Sequence, residues 1–123
     1  MIYTGTYRDG EKLGNGAFYK LRISVTQPKW ANTDGAVPAL YPDADLLWGY
    51  KQGSVTMEQY TQRYLAALDS RRDQVKAQVE NARRLAGGRP LILLCWCGKG
   101  KFCHRRLFAR WWRENTGEDV QEI

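Results

Sequence analysis

The sequence predicts a layered α/β domain whose small, largely parallel sheet is flanked by helices. Three observations carry this. Short runs of β-formers stand at Ile2–Thr6, at Ala17–Thr26 and at Leu91–Leu94. Helical periodicities fill the long interval between the second run and the third. The third run is apolar at every position, as in a central strand covered on both faces. A length of 123 residues suits one domain, spanning 1–123.

The elements follow in order. Ile2–Thr6 is a strand ended by Asp9-Gly10. Ala17–Thr26 alternates, with Tyr19, Leu21, Ile23 and Val25 on one face, and Pro28 stops it. Residues 27–42 read as one long loop broken by Pro28, Gly35, Pro38 and Pro42, a length that is often functional. Asp43–Lys51 is a short helix. Thr56 and Gln59 have capping-box spacing, and Met57, Tyr60, Tyr64 and Leu68 form the stripe of the next helix. Arg71–Ala86 is a third helix with Val75, Val79, Ala82 and Leu85 as its seam, closed by Gly87-Gly88. After the apolar strand, Cys103–Trp112 is helical and Val120–Ile123 is a closing strand.

Composition narrows the function classes. The formal charge is +6, and every charged residue from Arg83 to Arg113 is Arg or Lys. Such a stretch favours an anionic partner: a nucleotide-like small molecule or nucleic acid. The competing reading is a solvated helix face. No apolar run approaches the roughly 18 residues of a membrane span, so no membrane partner is expected. No leader-like pattern follows Met1. With three clustered cysteines, this places the chain in the reducing cytoplasm. Oligomeric state is not legible.

The chemistry-bearing residues concentrate in one segment. Residues 93–106 hold Cys95, Cys97 and Cys103 and the single histidine, His104. The segment runs from the C-terminal tip of the apolar strand, through Gly98-Lys99-Gly100-Lys101, into a helix N-terminus. Ligands of open parallel sheets bind beyond those strand tips, and helix N-termini carry free N–H groups. Cys95 and Cys97 leave one face of the strand and Trp96 the other. Steps of about 100° per residue put Cys103, His104, Leu107, Phe108, Trp111 and Trp112 on one helical arc. Arg106, Arg110 and Arg113 fall opposite, and Arg105 sits at the boundary, within reach of a bound anion.

Four readings compete for this cluster. One is an anion or nucleotide pocket, with Lys99 and Lys101 supplying charge and Arg105 a bidentate fork. One is thiol chemistry, with Cys103 or Cys97 as nucleophile and His104 as base. Zinc is the third: the donor types suit it, but adjacent Cys103 and His104 suit it badly, and no cofactor is expected. The last is buried cysteine packing as a small hydrophobe. A phosphatase loop fails on spacing, since five residues intervene between Cys97 and Cys103, where that chemistry needs Arg. Lys29 and Trp30 follow the second strand and are secondary ligand candidates, with Trp30 stacking a ring. Tyr41, Trp48 and Tyr50 are further candidates for the crevice. By position alone, so are Thr4, Thr6, Tyr7 and Arg8.

Leu93-Leu94-Cys95 followed by Cys103-His104-Arg105 resembles the signature of the family catalogued as domain of unknown function 488. The N-terminal strand, Pro28-Lys29-Trp30 and the Tyr60/Tyr64 helix are similar as well. Its implication is a compact, Rossmann-like α/β domain whose functional candidates are Cys95, Cys103, His104 and Arg105. The chain departs from the family at Arg22-Ile23-Ser24-Val25, where an Asp-Val-Arg-like end is usual. Cys97 is a further cysteine not typical of all members. The function expected from all this is binding of a nucleotide-like or nucleic-acid phosphate-bearing ligand at the Cys95–Arg105 strand–loop–helix site, with thiol and histidine chemistry. The rivals are a sequestering protein without chemistry and a zinc-stabilised interaction module.

Overall fold

The computed structural model describes residues 1–97 and 102–123, and every strand among them runs parallel to its neighbours. The strands are β1 (Ile2–Thr6), β2 (Tyr19–Arg22), β3 (Gly35–Ala36), β4 (Leu91–Cys95) and β5 (Val120–Glu122), in the order β3-β2-β4-β1-β5. The helices are α1 (Tyr7–Lys12), α2 (Ala44–Gln52), α3 (Met57–Ser70), α4 (Arg72–Ala86) and α5 (His104–Thr116). The sheet is all-parallel rather than largely so, and all five strand tips therefore share one edge.

β4 is the central strand because it is apolar on both faces. All five of its residues are buried. Leu91, Leu93 and Cys95 join the main core with α2, α3, α4 and α5, whereas Ile92 and Leu94 face a smaller cluster around Tyr7 and Ala31. Burying each aliphatic side chain stabilises the fold by roughly 2 kcal/mol. Thr6 aligns with Cys95 in the ladder, so β1 and β4 end together.

The structure corrects several readings. Residues 7–12 form α1 where a turn was expected at Asp9-Gly10. The Thr6 and Asp9 side chains cap each other's backbone N–H groups, and this capping box outweighs the helix-breaking tendency of Gly10. Gly10 is also required, because a Cβ there would lie 2.7 Å from Leu94 Cδ1. β2 stops at Arg22, although Ile23 N–H still bonds Leu94 O at 3.1 Å. Its partner β4 ends one residue later, so nothing remains to pair with Val25, which is exposed. The long loop contains β3 and a 3-10 turn at Pro38–Leu40. Met57 and Leu85 are exposed; the buried stripes are Tyr60, Tyr64 and Leu68 on α3 and Val75, Val79, Ala82 and Ala86 on α4. The seam steps from Ala82 to Ala86, one residue past Leu85. α5 runs on past Trp112 to Thr116.

One buried group opposes folding. Lys20 of β2 is 3% exposed, and its Nζ has no hydrogen-bond partner among the described residues. An unpartnered buried polar group costs about 1–3 kcal/mol. Lys20→Met keeps the stem and removes the cost, so urea denaturation should show a gain of about 1 kcal/mol or more. Loss of stability in that variant would mean that Nζ has a partner in solution.

Candidate functional site

The tip of β4, the segment that follows it and the start of α5 converge. Cys103 is the N-cap of α5, and its extended backbone turns the side chain under the sheet edge. Its Sγ lies 2.8 Å from Cys95 Sγ and 3.6 Å from His104 Nδ1. Cys97 is half-buried and packs against the same core. All three cysteines are free thiols.

His104 is held by its other nitrogen. Nε2 lies 2.8 Å from Ile23 O. A carbonyl only accepts, so Nε2 carries the proton and Nδ1 presents a lone pair toward Cys103. Burial pushes the imidazole below its ordinary value of 6.5, which keeps it neutral at pH 7. Tyr64 packs edge-on against the ring.

Arg105 departs from expectation. It is fully buried, not at the boundary. Its Nη1 donates to Cys95 Sγ at 3.0 Å and to Cys97 O at 2.7 Å, and its Nε donates to Glu122 Oε1 at 3.1 Å. The fork therefore holds the thiols and the strand tip in place instead of facing solvent. Hydrogen bonds from Cys103 and Cys95, with help from the Arg105 and Lys51 charges, hold the Cys97 thiol well below its usual value against the opposing effect of burial. Cys103 is pushed up by its hydrogen bonding with the Cys95 and Cys97 sulfurs and by burial. These surroundings favour the charged form at Cys97 and the protonated form at Cys103.

A cavity of about 470 Å³ opens onto this cluster. Cys97, Cys103 and His104 form its inner end, Tyr50, Tyr60, Phe102 and Trp96 its aromatic walls, and Lys51 its cation. Tyr50, Tyr60 and Phe102 form a three-ring cluster with centroids 5.2–5.5 Å apart. A second cavity, of about 560 Å³, lies on the α1 side and is bordered by Cys95, Trp96 and Trp30. Trp96 borders both.

The expected residues divide accordingly. Cys95, Cys97, Cys103, His104 and Arg105 meet in one cluster, and Trp30 lines the second cavity. Lys29 is exposed and lines neither cavity, because Pro28, rather than Lys29, turns inward. Lys99 and Lys101 lie outside the described residues. Tyr50 lines the first cavity, and Thr6, Tyr7 and Arg8 line the second, whereas Tyr41 and Trp48 line neither. Arg106 bonds Glu122, Arg110 bonds Glu114 and Arg113 bonds Asp119, so the arginine face is matched by acids. Sequence reasoning missed Phe102, Lys51 and Glu122. Phe102 had one local signal, its place beside Cys103; the other two come from remote elements.

The donor types around His104 suit a metal. Ligand atoms of Cys95, Cys103 and His104 all lie within 4.8 Å of one another and are buried. The imidazole is oriented by a backbone carbonyl, as metal-bound histidines are. The spacing fits less well: tetrahedral zinc separates two sulfurs by about 3.7 Å, and Cys95 and Cys103 stand closer than that.

A family model described as the active DUF488-N3 subclade, DUF488-N3a, matches residues 12–116. The chain belongs to the DUF488 family. The match runs from the last residue of α1 to the end of α5 and takes in every residue lining the first cavity, whereas Thr6, Tyr7, Arg8 and Asp9 of the second precede it. No curated protein and no solved structure matches the chain. Among the described residues, no helix is long and apolar enough to cross a membrane.

Glu122 offers a pH test of the clamp. Hydrogen bonds from Arg106, opposed by partial burial and aided by Arg105, lower its carboxyl from 4.5 to about 2. A depressed carboxylate stabilises the fold above its unfolded value, and that stability is lost as pH falls from 4.5 toward about 2. Glu122→Gln should cost on the order of 2 kcal/mol at pH 7, with the difference from wild type shrinking through that acid window in urea titrations. A constant difference across the window would remove Glu122 from the clamp.

Proposed function

We propose that the protein binds a nucleotide-like ligand, with its base in the aromatic cavity and Cys97 directed at it as a thiolate nucleophile. The observation that carries this reading is the meeting of the two features. A cavity of about 470 Å³ with aromatic walls closes on a thiol held beside a buried guanidinium. Planar rings stack on Tyr50, Tyr60, Phe102 and Trp96, and the volume lies in the usual range of small-molecule sites. The position agrees, since ligands of parallel sheets bind beyond the strand tips. Lys51 at the cavity and the basic chain as a whole suit the phosphate that such a ligand bears.

In this reading the roles are separate. Cys97 is the sulfur that meets the ligand. Cys103 lies beside His104 Nδ1, and Ile23 O fixes the ring. Arg105 is a positioning residue that favours the charged thiol. Three free thiols persist in a reducing compartment, so the cytoplasm is the proposed location.

A second reading has its own support, the soft-donor set of Cys95, Cys103 and His104. Zinc held there would stabilise the strand-to-helix junction and leave the cavity to bind without chemistry. Metal analysis separates the two: stoichiometric zinc in the purified protein, lost with a fall in melting temperature on chelation, favours this second reading. Metal-free protein of unchanged stability removes it.

Alkylation tests the first reading. Limiting iodoacetamide at pH 7 should modify Cys97 before Cys95 and Cys103. A saturating nucleotide identified by thermal shift should protect Cys97 at least about tenfold. Equal labelling of all three sulfurs, or no protection by any nucleotide or nucleoside, would sink the proposal.

A further inference from the structure

The aromatic cavity accounts for half of the crevice at the strand tips. On the α1 side of Trp96 lies the second cavity, and its character differs. It is lined by Arg8 and Lys12, whose side chains have no ion pair among the described residues. Its acid, Asp9, has an oxygen engaged in capping Thr6 N–H. Arg8 and Lys12 outnumber this one carboxylate in the described lining, which so carries surplus positive charge.

Two large aromatic side chains stand exposed at this cavity. Trp30 is 52% exposed and Trp96 54%. Both are mounted on fixed backbone. Trp96 Nε1 donates to Thr26 O at 2.8 Å, and its ring meets Tyr7 edge-on at 5.8 Å. The loop bearing Trp30 is pinned to α1 through Asn32, whose backbone and side-chain N–H groups donate to Glu11 at 3.2 and 3.1 Å. Gln27 Nε2 donates to Ala31 O at 3.3 Å across the same loop. Solvent-facing indoles beside cations that form no ion pair among the described residues are the parts of a stacking platform for a polyanion.

Trp96 borders both cavities, and this decides the ligand's form. One indole separates a ring-lined cavity with one lysine from a cavity lined by Arg8 and Lys12. A monomer needs only the first. A strand passing over Trp96 delivers one base to each, with the linking phosphate on the cationic side. We propose that the ligand is single-stranded nucleic acid. One base enters the aromatic cavity, and the adjoining nucleotide occupies the second, its base on Trp30 and its phosphodiester against Arg8 and Lys12. This rests on the base-binding reading of the first cavity. A pyrophosphate-linked dinucleotide shares the two-ring, anionic chemistry and serves as the control.

The experiment titrates the full chain by intrinsic tryptophan fluorescence with four probes: a nucleoside monophosphate, a phosphodiester-linked dinucleotide, a short single-stranded oligonucleotide and a pyrophosphate-linked dinucleotide. The oligonucleotide and the phosphodiester dinucleotide should bind at least about tenfold tighter than the monophosphate. Arg8→Ala with Lys12→Ala should remove most of that gain and reduce the salt slope by about 0.7 per lost phosphate contact. Trp30→Ala should weaken the two strand probes, and all these variants should leave monophosphate affinity unchanged. Equal affinity for monophosphate and oligonucleotide overturns this proposal while leaving the base-binding reading intact. So does an equal loss of both in the variants. Tightest binding of the pyrophosphate-linked probe overturns the nucleic-acid assignment. Absence of binding by all four overturns the base-binding reading, and this inference falls with it.

Discussion

Burial of the Arg105 guanidinium governs the arrangement around it. A charge removed from water costs several kcal/mol unless every donor finds a partner. Arg105 meets that demand by drawing on separate parts of the chain: the Cys95 sulfur at the tip of β4, the Cys97 carbonyl just beyond it, and the Glu122 carboxylate on β5. The strand tip, the first turn of α5 and the closing strand are therefore held as one unit. Glu122 also binds Arg106, so a single carboxylate anchors two consecutive cations of the same helix. The guanidinium that results is committed inward, and its charge acts on the thiols.

The parallel sheet turns this junction into a site. Every strand tip lies on one edge, and β4, buried on both faces, runs up its middle. Alternation along the chain beyond β4 then divides chemistry between two sides. Cys95 and Cys97 go to the layer of α3 and α5, whereas Trp96 packs against Tyr7 of α1. The sulfur cluster and the indole are neighbours in sequence on opposite sides of the sheet, and Trp96 borders both cavities. Long connections supply the walls: Tyr50 comes from α2, Tyr60 from α3, and Phe102 from the approach to α5.

The cluster places its three sulfurs in unequal surroundings. Cys103 and Cys95 are closed into the core, while Cys97 is half-exposed at the cavity. The Arg105 guanidinium, bonded to the Cys97 carbonyl, lies beside the most exposed of the three sulfurs. His104, neutral and fixed through Ile23 O, completes the group without adding charge. Exposed Trp30 and buried Lys20 are costs carried near the same sheet, in line with the tendency of folds to spend stability close to their sites.

Local signals sufficed for much of this protein. The apolar run at Leu91–Leu94 defined the central strand, the Thr56–Gln59 box opened α3, and glycine closed α4, because each depends on a few adjacent residues. The helical arc carrying Cys103 and His104, and the shared face of Cys95 and Cys97, followed from the periods of helix and strand. Tertiary structure decided the rest. The Tyr7–Lys12 helix needs a capping box and the close approach of Leu94, which outweigh its glycine. β2 ends early because its partner strand ends. Arg105 turns inward because Glu122, seventeen residues on, meets it there. Which aromatics face a cavity, and that Trp96 divides two of them, depends on packing between elements far apart in the chain, and no local pattern encodes that.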